Sequence, residues 1–182
     1  MYRMSKRKSH GFTLIELMVV VAIIGIITAV LFVSFDEGRK QSRDKVRMAE
    51  LKELQLAIEL YKAQNGVYPT QGCTSDTGLW VGPGTQPSWG QECPEYIIGL
   101  APTYIPDLPQ DPNQEADLGK GFLYRTNASK TGYKVIVHDT VESQFITAQS
   151  DEFSRIPESC GISTGNLFTA QYAVYSTGFE CL

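Results

Sequence analysis

Histidine is almost missing: the 182 residues include only His10 and His138. Little is therefore left for proton transfer near neutral pH, where histidine is the side chain that titrates unperturbed. The Gly-x-Ser-x-Gly elbow, the phosphate-binding glycine loop and the Cys-x-x-Cys pair are also absent, which excludes the common hydrolase, nucleotide and thiol-redox signatures. Cysteine spacing excludes a compact zinc site of the usual kind. No proline precedes Pro69, and only Gly25 and Gly38 fall between Phe12 and Asn65. A helix over 12–65 would thus run unbroken for about 80 Å at ~1.5 Å per residue, each glycine costing it ~1 kcal/mol against alanine. Formal charge is missing from the 19 residues between Leu17 and Phe35. Bases are scarce beyond Ala63, five against 13 acids, so direct nucleic-acid binding by that part is disfavoured.

What is present is unevenly placed. Residues 1–11 hold four bases (Arg3, Lys6, Arg7, Lys8) and no acid, while residues 36–182 hold 12 bases and 19 acids, a net of −7. An uncharged run of this length approaches the roughly 20 residues that span a ~30 Å hydrocarbon core. A basic tip before it orients the N-terminus to the cytoplasm and exports the acidic remainder. The run exceeds the apolar core of a secretory signal, and no small-residue cleavage site follows it before Asp36. One acid, Glu16, stands at its head. An acid near mid-bilayer is unfavourable by roughly 2.5–3.5 kcal/mol, so Glu16 calls for a partner.

All four cysteines (Cys73, Cys93, Cys160, Cys181) lie in the exported part, where disulfides persist. Three pairings are open. We favour Cys73–Cys93 and Cys160–Cys181, because each closes a short loop rich in Gly, Pro and Ser.

The order Gly11-Phe12-Thr13-Leu14-Ile15-Glu16, after a basic leader and before an uninterrupted apolar run, closely resembles the class III signal of type IV pilins and type II secretion pseudopilins. The resemblance implies cleavage between Gly11 and Phe12, N-methylation of Phe12, and polymerisation through the N-terminal helix, with no enzymatic activity. It implies as partners other copies of the chain, related minor pilins, a prepilin peptidase, an inner-membrane assembly platform and, before assembly, membrane lipid. It also divides the chain into a leader (1–11), a transmembrane and filament-core helix (12–35), the amphipathic half of that helix (36–65) and an exported head (66–182). The amine exposed on Phe12 of one copy can then meet Glu16 of a neighbour. Opposite charges about 4 Å apart attract strongly at low dielectric, less the cost of desolvation. Glu16 is thus read as an assembly residue that sets register.

Beyond the apolar run, Met48, Leu51, Leu54, Ile58 and Tyr61 recur at helical steps and form a stripe for a core to cover, which Leu56 and Leu60 are expected to widen. Asn65-Gly66 suits a helix stop. Arg39, Lys40, Arg43, Lys45 and Arg47, mixed with Asp36, Glu37 and Asp44, read as a solvated or neighbour-facing surface. Residues 71–94 read as a loop, with Trp80 and Trp89 packed beneath it. Strands are expected at Gly121–Thr126 and Tyr133–His138, the latter with Tyr133, Val135 and Val137 on one face, and further short ones at 145–148 and 172–176. The fold class is α+β: a long helix whose second half packs on a small antiparallel sheet.

In "DPNQEAD", Asp111, Asn113, Glu115 and Asp117 alternate as calcium could use them, though the glycine and distal glutamate of an EF-hand loop are missing. The other reading is a solvated acidic turn. "NGVYPTQG" and "LPQDP" resemble pseudopilin heads, whereas a disulfide loop at 160–181 resembles pilins. The balance favours a pilus subunit serving adhesion, motility or DNA uptake over a periplasmic secretion pseudopilus. The rival from another class is a monomeric membrane-tethered binding module.

Overall fold

The computed structural model describes residues 12–73, 79–83, 90–113, 120–143, 152–161 and 171–181. Helix α1 (Leu14–Asn65) is continuous, as the lack of proline requires. Backbone contacts divide the chain into two compact units, Met1–Arg39 and Lys40–Leu182.

In the first unit the described side chains of α1 are uniformly exposed, among them Leu17, Met18, Ile23 and Ile27. The Thr28 hydroxyl donates to the Ile24 carbonyl at 2.7 Å, which satisfies it within the helix. Among the described residues no helix is long and apolar enough to cross a membrane. The side chains of 30–34, near the end of the uncharged run, lie outside that description.

In the second unit α1 buries Leu51, Leu54, Ala57 and Ile58, with Met48 and Tyr61 packed alongside. Leu56 and Leu60, expected to widen this face, instead point outward, 62% and 45% exposed. The reason is angular: each lies two residues, about 200°, beyond a core residue (Leu54, Ile58) on a helix of 3.6 residues per turn. The helix ends where Gly66 takes a left-handed φ of 76° and its N–H closes on the Lys62 carbonyl at 2.8 Å.

The sheet has five strands: β1 (Trp80–Gly82), β2 (Gly90–Glu92), β3 (Gly121–Thr126), β4 (Tyr133–His138) and β5 (Tyr172–Tyr175), in the order β2-β1-β3-β4-β5. The β3–β4 pair runs antiparallel from Gly121 opposite His138 to Thr126 opposite Tyr133. β5 continues antiparallel on β4, and β1 lies antiparallel to β3. The sheet departs from the expected fully antiparallel form in β2, which pairs parallel with β1. Both of those strands fall within the stretch read as loop. The expected strand at 145–148 lies outside the described residues, as does Trp89. Trp80 is buried.

One sheet face carries Val81, Phe122, Tyr124, Tyr133, Val135, Val137, Tyr172 and Val174 into the same core as the helix. The other gathers Trp80, Leu123, Ile136 and Ala173, with Tyr175 beside them. Buried tyrosines fasten the proline-rich connections. Tyr124 donates to the Pro69 carbonyl at 2.7 Å and Tyr96 to that of Pro109 at 3.0 Å. Proline carbonyls have no N–H beside them to form a ladder, so side-chain donors hold these segments in place.

Candidate assembly site and helix clamp

The assembly residues sit at the start of α1. Thr13 caps the helix. Its N–H and hydroxyl both donate to the Glu16 carboxylate at 2.8 Å, and the Glu16 N–H returns a bond to the Thr13 hydroxyl at 3.3 Å. This reciprocal arrangement is a capping box, which the Thr-x-x-Glu spacing ahead of an apolar run announces and which the reading of Glu16 as purely intermolecular overlooked. The donors are neutral. They orient the carboxylate and leave its charge uncompensated, so the demand for a cation remains. Phe12 is 87% exposed, and Gly11 lies outside the described residues.

Within the first two turns of the second unit, two members of the charged surface expected to be solvated, Asp44 and Arg47, are buried, while Asp36, Glu37, Arg39 and Lys45 are exposed. Arg47 and Asp44 are both fully buried. Arg47 forks onto Asp111, Nε to Oδ2 at 2.7 Å and Nη2 to Oδ1 at 2.9 Å, and its Nη1 reaches Asp44 at 2.7 Å and Glu142 at 3.1 Å. Asp44 also accepts from the backbone of Glu142 and Ser143 and from the Ser143 hydroxyl. Arg43 forms a second fork on Glu142. Residues 43–47 of α1 thereby clamp the segment before β3 and the segment after β4. Burial works against the charge on Arg47. The hydrogen bonds and charge of Asp111, joined by Glu142 and Asp44, outweigh it and push its pKa above the ordinary arginine value. The hydrogen bond from Arg43 holds Glu142 below the usual carboxylate range, against burial and with help from Arg47.

This clamp bears on the calcium reading. Asp111 gives its carboxylate to Arg47, to the Thr140 hydroxyl at 2.6 Å and to the Asn113 N–H at 2.9 Å. The Asn113 side chain donates to Glu142 at 2.7 Å. A metal ion on Asp111 would lie against a guanidinium, so the described half of the set does not suit one; Glu115 and Asp117 lie outside the described residues. Among the described residues no group of three His, Cys, Asp or Glu is arranged to hold a metal.

On the second sheet face Lys134 is fully buried, and its Nζ donates to the backbone carbonyls of Arg155 at 2.6 Å and Glu180 at 2.5 Å. The ammonium also lies 5.4 Å from the centre of the Tyr175 ring. Burial, seconded by the charge of Arg155, pulls its pKa down to about 7. Nearby, the Arg125 and Arg155 guanidinium carbons each lie 5.9 Å from the Trp80 ring. The cysteines pair as Cys73–Cys93, with Cα atoms 5.7 Å apart, and Cys160–Cys181, 5.3 Å apart. His138 is half-buried in β4 with its Nδ1 3.8 Å from Asp139.

A long helix opened by a Gly-Phe-x-x-x-Glu motif and laid on a small sheet defines the pilin-like class. The Prokaryotic N-terminal methylation motif matches residues 6–32. Among curated proteins, the chain is 31% identical over 109 residues to type II secretion system core protein G of Aeromonas hydrophila, covering 60% of this chain and 71% of that one. Against the same protein of Pseudomonas aeruginosa it is 31% identical over 111 residues, with 60% and 71% covered. Against that of Vibrio cholerae it is 35% identical over 108 residues, with 58% and 66% covered. No solved structure matches. The chain belongs to the pilin and pseudopilin family, as a relative of type II secretion system core protein G.

Proposed function

We propose that the chain is a pseudopilin of the secretion type. Its leader is cut after Gly11 by a prepilin peptidase, Phe12 is methylated, and residues 17–35 hold it in the cytoplasmic membrane with the N-terminus inside. An inner-membrane platform then assembles copies of it, with minor pseudopilins, into a periplasmic filament. The observation that carries this reading over a surface pilus subunit is the similarity to core protein G, which extends far beyond the N-terminal motif to 71% of two relatives. It reverses the sequence-based preference for a pilus subunit, which leaned on the 160–181 loop.

In this role Glu16 attracts the cationic amine of an adjacent copy. The Thr13 cap holds the carboxylate ready, and pairing removes the penalty of an isolated charge in lipid. The Glu16→Ala variant should remain membrane-bound and begin at methylated Phe12 by mass spectrometry, yet form no filament; filaments at normal yield would overturn the assignment. A chain that keeps residues 1–11 and runs as a monomer in detergent would support the tethered module instead.

A further inference from the structure

Only five bases lie beyond Ala63, yet three of them, Arg125, Lys134 and Arg155, meet on the second sheet face. Arg125 stands directly opposite Lys134 in the β3–β4 pair, a place where like charges destabilise. Arg125 and Arg155 approach the same Trp80 ring, and Tyr175 stands opposite Lys134 on its other side. Two segments close over the Lys134 amine: 153–161 through the Arg155 carbonyl, and the tail, 176–181, through the Glu180 carbonyl. The Cys160–Cys181 bond ties these segments to each other. The tail has two further holds on β4 and the turn before it. The Ser176 N–H donates to the Tyr133 carbonyl at 3.1 Å while its hydroxyl accepts from the Tyr133 N–H at 3.0 Å. The Phe179 ring fills the space that a side chain on Gly132 would need.

Seating the tail therefore takes an amine out of water and encloses it beside two guanidinium groups. Both changes disfavour its proton. Glu180 acts to retain that proton, whereas Asp139 supports the charge of Arg155. His138, further along the same face of β4, lies 3.8 Å from Asp139. The bonds to the two carbonyls do not require the charge, because an uncharged amine still has two N–H donors. Lifting the tail returns Lys134 to water and to its ordinary value of 10.5, against about 7 when enclosed. Between those values lifting takes up a proton, so each unit of rising pH favours the seated form by about tenfold.

We propose that the tail is a proton-coupled strap, which seats over Lys134 as an uncharged amine and lifts when that amine is protonated, uncovering the second sheet face while the rest of the head stays folded. To test it, Ile136, fully buried on that face, and Val135, fully buried on the opposite face, are separately replaced by cysteine in the full chain held in detergent. The native cysteines are all in disulfides and do not react. Labelling by a maleimide is timed at pH 7 and 9, and each rate is divided by that of Ala128→Cys, in the exposed turn between β3 and β4, which corrects for thiol ionisation. At pH 7 Ile136→Cys should react about tenfold or more faster than Val135→Cys, because local lifting precedes global unfolding. Its corrected rate should fall by about 100-fold from pH 7 to 9, and adding Lys134→Met should remove the fall. Should Ile136→Cys fail to fold, Ala173→Cys, fully buried in the same cluster, repeats the measurement. Equal rates for the two faces at pH 7 would overturn the strap, since that face would then open only with the whole head. A corrected rate that is the same at both pH values, or a fall that persists in Lys134→Met, would overturn the coupling to this lysine.

Discussion

Replacing Arg47 by Met should be among the most damaging single changes available in the head. The variant keeps the apolar stem and removes the guanidinium that holds Asp111 in a fork and reaches Asp44 and Glu142. Two fully or nearly buried carboxylates are then left without their cation. Breaking a buried pair in this way costs about 3–5 kcal/mol. The lower end applies here, since Asp44 retains the Ser143 and Glu142 donors and Asp111 retains Thr140. For a domain of this size, a loss of ~3 kcal/mol lowers the melting temperature by roughly 10 °C. The assay is thermal unfolding by circular dichroism of the detergent-solubilised chain. Adding Asp111→Asn to Arg47→Met should restore part of the loss, because a neutral amide tolerates burial where an unpaired carboxylate does not. Acid should narrow the gap between Arg47→Met and the parent, since protonation neutralises the stranded carboxyls. The parent moves the other way: Glu142 has a folded pKa below its ordinary value, so it adds stability above pH 4.5 that is lost as pH falls through the folded value. An Arg47→Met variant melting within about 1 °C of the parent would refute the clamp, because that corresponds to well under 1 kcal/mol.

Lys134 makes stability rise with pH as Glu142 does, but at the alkaline end of the scale. Its folded pKa of about 7 lies below the ordinary 10.5, so the unfolded chain binds the extra proton between those values and stability rises with pH across that window. Melting points at pH 7 and about 9.5 should show a gain on the order of a few kcal/mol, and Lys134→Met should flatten it; equal slopes would count against the burial of its charge. Replacing Cys160 and Cys181 by Ser opens a loop closed over a separation of 21 residues. This should lower stability by ~3 kcal/mol, and unchanged melting would show that the loop is held by other contacts.

The elements with a strong periodic signal were legible. β3 and β4 run over Gly121–Thr126 and Tyr133–His138 as their alternation suggests, and Tyr133, Val135 and Val137 do share the core-facing side. β1 and β2 were not legible, because three residues beside prolines and glycines are too few to show a period. The helix face was half legible: α1 carries two apolar stripes, and only the sheet decides which one it covers. The clamp was hidden for a different reason. Asp44 and Arg47 look like an ordinary surface pair along the helix, and their burial depends on Asp111 and Glu142 arriving from 64 and 95 residues away. Lys134 likewise reads as the polar position of a half-exposed strand, although both faces of β4 are covered. The capping box at Thr13 needed no structure and was missed only because Glu16 already had a role.

The fastening of the C-terminal segment by Lys134 has an outcome for how this surface can diversify. The acceptors at 155 and 180 are main-chain oxygens, which any residue provides. The two hydrogen bonds themselves therefore survive a change of either side chain, and keeping the tail seated falls on a lysine concealed inside the sheet. The seat of the tail thus depends on one concealed residue more than on the identity of the two it holds.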